Sequence, residues 1–122
     1  MNCPHCGVHI DEHPASRCLD AWVAVDVMEL AGVGLDSVGD FQYLHSPDRP
    51  HFVSEYSTDI AAAWEVEQKI EELKLRARYV QHLVAAMLGK EVDSDEDMWW
   101  LLAHASPLDR CRAAIKATKE SG

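Results

Sequence analysis

No stretch of this chain approaches the roughly 20 consecutive apolar residues that a membrane-spanning helix needs, although 48% of its residues are hydrophobic. The opening MNCPHCG is polar and lacks the apolar run of a secretory leader. Together these point to a cytoplasmic protein without a membrane partner. Basic residues are scarce, with 11 Lys and Arg against 21 Asp and Glu, for a formal net charge of −10. A field of that sign repels phosphate backbones and weighs against nucleic acid as a partner. A basic protein surface suits it better. Missing as well are a glycine-rich phosphate loop and a Gly-x-Ser-x-Gly turn. Seven histidines are scattered among the acids with nothing to fix their mutual geometry, so no catalytic residue is assigned.

What is present suits one domain over residues 1–122, since a chain of 122 residues can bury about two thirds of its unfolded surface. The fold class expected is mainly α (α+β): a helical domain around one long central helix, with a small β-hairpin and an N-terminal segment resembling a zinc knuckle. Residues 1–18 form the metal-binding segment. Residues 19–122 form the helical core, with the hairpin near 41–57. A first helix is predicted from about Pro14, its buried stripe made by Leu19, Trp22, Val23, Val27 and Leu30, and its end set by Gly32 and Gly34. FQYLHS and HFVSEYS, either side of PDRP, read as two extended arms around a turn.

Ser57, Thr58 and Asp59 then offer a helix start. Ala63, Val66, Ile70, Leu73, Ala77, Val80, Val84 and Met87 follow at spacings of three and four, along a helix of about 45 Å ending at Gly89. A seam of this kind serves as a central core helix, and it could also pair with a second copy as a homodimer; a break near LKLRAR is the other option. Two shorter helices are predicted beyond it. One starts with Ser94 and Asp97. The other starts with Ser106 as cap, Pro107 in the first turn and Asp109 in the third position, and turns Leu108, Cys111, Ala114 and Ile115 inward.

The CPHCG turn carries the chemistry. Zinc takes four ligands in a tetrahedron, and a Cys-x-x-Cys turn followed by Gly presents two sulfurs to one side of the ion. In a cytoplasmic protein such a pair binds metal more often than it forms a structural disulfide. A redox pair would need a strand before it and a helix after it, and no strand precedes this one. Cys3, Cys6, His13 and Cys18 make one complete set, with Cys18 stapling the arm to the first helix; His9 or His5 could replace His13. His45 and His51 in the hairpin are read as surface histidines, and Cys111 as a core residue. Asp11 and Glu12 in the loop, with only Arg17 basic and no aromatic before Trp22, favour a structural zinc over nucleic-acid binding.

Two other features are set aside. Asp93, Asp95 and Asp97 mimic a calcium loop, but Met98 stands where that loop needs Gly and His104 where it needs Glu. Trp99 and Trp100 are adjacent, so on a helix only one can face the core squarely and the other covers a neighbour or marks a contact surface.

Three blocks, ASRCLDAWVAVDVMEL, YSTDIAAAWEVEQKI and SPLDRCRAAIKAT, in that order, resemble small proteins of phages and prophages in the phage ABA-sandwich family. The resemblance implies a viral origin, action in the host cytoplasm, a dispensable accessory role and an α/β/α layering, and it carries over no activity and no catalytic residue. Tyr56, Ser57, Thr58, Asp59 and Trp64 match the most recognisable motif, a helix start and its aromatic anchor. Cys18 stands where the pattern has a charged residue, which suits recruitment as a ligand. The stretch after Trp64 reads as helix where a sandwich needs strands, hence the mainly α expectation.

The function these readings support is a non-enzymatic, zinc-stabilised phage accessory protein that binds a host or phage protein, as an acidic inhibitor of a host factor for example. The alternatives are a zinc-dependent hydrolase, which needs an open metal position, and a nucleic-acid-binding knuckle.

Overall fold

Ser16 opens the first helix: its backbone is extended and its hydroxyl accepts from the Leu19 amide at 3.3 Å. In the computed structural model, which describes residues 1–30, 32–35, 40–46, 49–87 and 102–120, this helix is α1 (Arg17–Asp26). It starts three residues later than Pro14 because Ser16 supplies the cap that the first-turn amides need. Leu19, Trp22, Val23 and Val27 are buried as expected. The helix ends before the glycines, where Glu29 takes a left-handed backbone (φ 58°).

Three strands follow, β1 (Gly34–Leu35), β2 (Phe41–Ser46) and β3 (Arg49–Phe52), paired antiparallel in the order β1-β2-β3. The expected hairpin is present, with Tyr43 opposite His51 and a register shift between Leu44 and Ser46. A short strand is added on its other side, with Leu35 opposite Phe41. Pro50 sits in β3, at the sheet edge, where a missing amide costs no ladder bond.

Asp59 caps α2 (Ile60–Glu72), accepting from the Ala61 amide at 3.0 Å. The long central helix is not continuous: α2 stops at Glu72 and α3 (Arg76–Met87) begins after a turn. Lys74 adopts φ 59°, its amide bonds to the Glu71 carbonyl at 3.1 Å, and the Leu75 amide bonds to the Ile70 carbonyl at 3.0 Å. Those two bonds form the closing motif usually built on glycine, and Leu75 packs against the core beside it. The turn also shifts the phase of the apolar stripe. Ala63, Val66 and Ile70 are buried, but in α3 the buried positions are Tyr79, Leu83 and Met87, while Val80 is exposed. The seam expected over residues 63–87 is therefore two separate faces.

The helix that occupies the centre is the last one, α4 (Pro107–Glu120), which packs against α1, α2 and α3. Ser106 accepts from the Asp109 amide at 3.1 Å, as its capping position predicts. Cys111, Ala114 and Ile115 are fully buried, and Ala113 and Ala117 let neighbouring helices approach closely. The four helices and small sheet make the described protein mainly helical.

Polar contacts tie the recognisable blocks together. Buried Asp20 accepts from the Ser57 amide at 2.7 Å and from Arg17 at 3.0 Å, while the Ser57 hydroxyl bonds both to the Ser16 amide and to its carbonyl. The Ser-Thr-Asp start of α2 is thus locked to the start of α1. Trp64 is no anchor: it is 58% exposed, and among the described residues the buried tryptophan is Trp22, whose indole donates to Asp26 at 2.6 Å. The helix expected from Ser94 and Asp97, the Asp93 to Asp97 loop and the Trp99–Trp100 pair lie outside the described residues, as does the side chain of His45 in β2.

Candidate metal centre

The first 13 residues fold back on themselves. The Cys3 amide bonds to the Val8 carbonyl and the Gly7 amide to the Cys3 carbonyl, both at 2.9 Å, and Asn2 bridges to His9. Gly7 sits at φ 79°, with open space around its missing Cβ, so the backbone angle and not the room dictates glycine there. The turn aims backbone amides at both sulfurs: the His5 amide reaches Cys3 Sγ at 3.4 Å, and Val8 serves Cys6. Amides turned onto the sulfurs in this way stabilise thiolate.

Ile10, 1% exposed, carries the arm into the core, followed by a single short turn, Ile10–Glu12. His13 comes next, also buried, with its ring 6.1 Å from that of Trp22. Its Nδ1 lies 2.8 Å from the Pro14 carbonyl. A carbonyl can only accept, so Nδ1 carries the proton and Nε2 keeps its lone pair. That lone pair faces Cys6 Sγ at 3.3 Å. Holding one ring nitrogen on a backbone carbonyl is the usual way to orient a histidine ligand. Cys18, the second residue of α1, completes the set, its Sγ 3.4 Å from that of Cys3.

The donor atoms of Cys3, Cys6, His13 and Cys18 all lie within 4.8 Å of one another. Sulfurs bound to one zinc at about 2.3 Å stand roughly 3.8 Å apart at the corners of a tetrahedron, so a small contraction or expansion fits the set around an ion. The set expected from spacing is the one that meets. The two alternatives are engaged elsewhere: His5 stacks edge-on against Phe41 at 5.3 Å, and His9 accepts from the Asp11 amide at 3.2 Å. His51 is exposed in β3, and Cys111 is buried in α4, both as expected.

Electrostatics within the cluster are mutual. The Val8 amide holds the exposed Cys6 thiol below its ordinary range, against an opposing effect of burial. Cys18 is pushed up to about 12, first by burial and then by the neighbouring Cys3 and Cys6 sulfurs. A divalent cation among the sulfurs would offset what disfavours the Cys18 thiolate, so that all three could bind it as thiolates.

Sequence reasoning missed how the arm is fastened from the other side. Arg112 on α4 donates to the His13 carbonyl, and Lys116, one turn later, pairs with Asp11. These contacts join residues near opposite ends of the chain, and no local pattern marks them. Beside them a cavity of about 340 Å³ opens, with Asp11, His82, Asp109, Arg112 and Lys116 among its lining residues.

A family model described as the phage ABA sandwich domain matches residues 21–115. The chain belongs to the phage ABA sandwich family. No curated protein and no solved structure matches it. Cys3, Cys6, His13 and Cys18 all precede the matched stretch, so the cluster is carried by a segment on the N-terminal side of the phage ABA sandwich domain. Arg112, which holds that segment from α4, lies inside the domain. Among the described residues no helix is long and apolar enough to cross a membrane.

Proposed function

We propose that this chain is a non-enzymatic phage accessory protein in which a structural zinc ion fastens the N-terminal arm to the phage ABA sandwich domain, and that it acts by binding another protein. The observation that carries this reading is the closed cluster. Four protein donors within 4.8 Å fill a tetrahedron and leave no position for a water to be activated, which a zinc hydrolase requires. Three sulfurs and an imidazole also suit zinc better than calcium or magnesium, which take oxygen.

Action through a protein partner is supported by charge and by surface. The net charge of −10 favours a basic protein surface over phosphate. Ile60 and Trp64, one turn apart on α2, are 38% and 58% exposed, and exposed Trp is typical of interface centres. Competition with nucleic acid for a host factor is one form such binding takes.

The test has two arms. Elemental analysis of the purified chain should find one zinc per molecule, and a chelator should lower its Tm. Metal-free material that melts identically with and without chelator overturns the structural-zinc reading. A tagged chain should recover a saturable partner from bacterial lysate, and that recovery should fall with Trp64→Ser. Recovery of none at either low or physiological salt overturns the interaction reading.

A further inference from the structure

We propose that the outward face of α2 is a two-fold interface for a second copy of this chain, each copy seating its Trp64 in the groove between α2 and α3 of the other. Trp64 is 58% exposed, and Ile60, one turn before it, is 38% exposed. Just beyond, a groove of about 310 Å³ opens between the two helices. Ile70, Tyr79 and Val80 give it apolar and aromatic walls, and Glu67, Gln68 and Glu71 add acceptors. At 3.6 residues per turn, Ile60, Trp64, Glu67, Gln68 and Glu71 share a sector of about 100°, so the projecting ring and the groove lie on one face. Along the axis the ring stands about 5–10 Å from the groove residues of α2.

A knob and a hole displaced along one face of one helix are self-complementary. A two-fold axis midway between them crosses two α2 helices antiparallel, puts each knob in the other copy's hole and closes the assembly at two chains. The groove's chemistry suits the ring. An indole N–H can only donate and needs a partner when buried, and the Gln68 amide and the Glu71 carboxylate are acceptors on the groove wall. Charge selects the antiparallel sense. Glu55 and Asp59, both exposed, precede α2, while exposed Lys74, Arg76 and Arg78 lie just past its end. Antiparallel crossing sets the acids of one copy beside the bases of the other, and parallel pairing would set like against like. This face is not the seam expected over residues 63–87, whose Ala63, Val66 and Ile70 are buried in the core. Trp64 is also the residue assigned above to a protein partner. Docking of a second copy does not depend on that reading, and a partner that uses Trp64 must first displace the second copy.

The experiment uses the full chain as purified. Sedimentation over a dilution series from millimolar to micromolar should show a reversible monomer–dimer equilibrium that weakens as salt is added. Trp64→Ser removes the knob and Val80→Lys fills the hole, so each should weaken association at least tenfold. Both side chains are exposed, and the Tm of dilute protein should change little. Mixing the two variants decides the geometry. Trp64 of the Val80→Lys chain meets an intact groove on the Trp64→Ser chain, so the mixture should associate more tightly than either variant alone and less tightly than wild type. A wild-type chain that stays monomeric throughout, a dimer that neither substitution weakens, or a mixture that restores nothing overturns the proposal. A wild-type dimer with no partner recovered from lysate would defeat the partner reading and leave this one standing. A monomer that still recovers a partner through Trp64 would do the reverse.

Discussion

Arg112 donates a hydrogen bond to the backbone carbonyl of His13, across 99 residues of sequence. The acceptor belongs to a metal-ligand candidate and the donor to the central helix, so this contact ties the metal centre directly to α4, beside the packing of α1 on α4 and the Lys116–Asp11 pair. Chelation should then loosen more than the arm. Hydrogen exchange should rise in residues 1–16 and also along the first turns of α4, and Arg112→Met should weaken the second response while leaving metal content intact. The hydrogen bond is charge-assisted, so its loss is worth about 1.5–3 kcal/mol. Unchanged protection in α4 on chelation would show the two regions to be uncoupled.

Ligand identity can be read by single substitutions. Cys18→Ser and His13→Ala should each lower zinc affinity by at least tenfold and lower Tm, because removing a ligand opens the tetrahedron and leaves the remaining sulfurs facing one another. Cys111→Ala should leave one zinc bound. It lies fully buried on α4, and its thiol is pushed well above the ordinary range by burial and secondly by Asp20. Its cost should be packing alone, about 1 kcal/mol. Loss of zinc in that variant would place Cys111 at the centre.

Much of this site was legible because its signals are local. Cys-x-x-Cys-Gly, the cap at Ser106 and the two arms of the hairpin each sit within a few residues, and each encodes a definite backbone need. What was hidden depends on distant partners or on a residue type that disguises its conformation. Lys74 does at the end of α2 what glycine usually does, so the long helix looked continuous. Trp64 looked like an anchor because its motif mate Ser57 is one, yet the helix turns it outward. The centrality of α4 follows from Ala113, Ala114 and Ala117 admitting three neighbours, and small residues leave no periodic mark of that kind.

The break at Lys74 gives a test of its own. A non-glycine residue in the left-handed region costs about 1–2 kcal/mol, partly offset by the greater freedom glycine has in the unfolded chain. Lys74 is exposed and at φ 59°. Lys74→Gly should therefore stabilise the protein by about 0.5–1 kcal/mol, and Lys74→Val should destabilise it by at least as much. Urea unfolding measures both. Destabilisation by glycine would mean that the helix end is not closed by this turn.

The pair formed by Lys116 and Asp11 predicts a pH dependence. Lys116 holds the Asp11 carboxyl below its ordinary value, first through their hydrogen bond, against an opposing effect of burial. A depressed carboxyl contributes stability above its unfolded value, near 4, and loses it as pH falls through the lower folded value. Asp11 is 58% exposed, so the contribution should stay under about 1 kcal/mol. In chelated protein, where ligand protonation plays no part, the stability gap between wild type and Lys116→Met should be constant from pH 7 to 5 and shrink below pH 4. A gap independent of pH would assign the Lys116 effect to packing.

Glu67, Tyr79 and Arg110 form the polar joint of α2, α3 and α4. The Tyr79 hydroxyl donates to Glu67 at 2.6 Å, and Arg110 reaches the same carboxylate at 2.7 Å and the carbonyls of Leu102, Ala103 and Ala105. Burial, then the Glu67 carboxylate, pushes the Tyr79 hydroxyl far above its ordinary range, so it remains a donor throughout the folded range of pH. Arg110 is 6% exposed, and truncating one member of such a pair strands the other. Arg110→Ala should cost about 3–5 kcal/mol and Tyr79→Phe about 1 kcal/mol. The Glu67→Gln and Arg110→Met changes should be strongly non-additive, with the double variant closer to wild type than the sum of the singles implies. Additive losses would show that the two side chains act independently and that the joint is held by apolar packing alone.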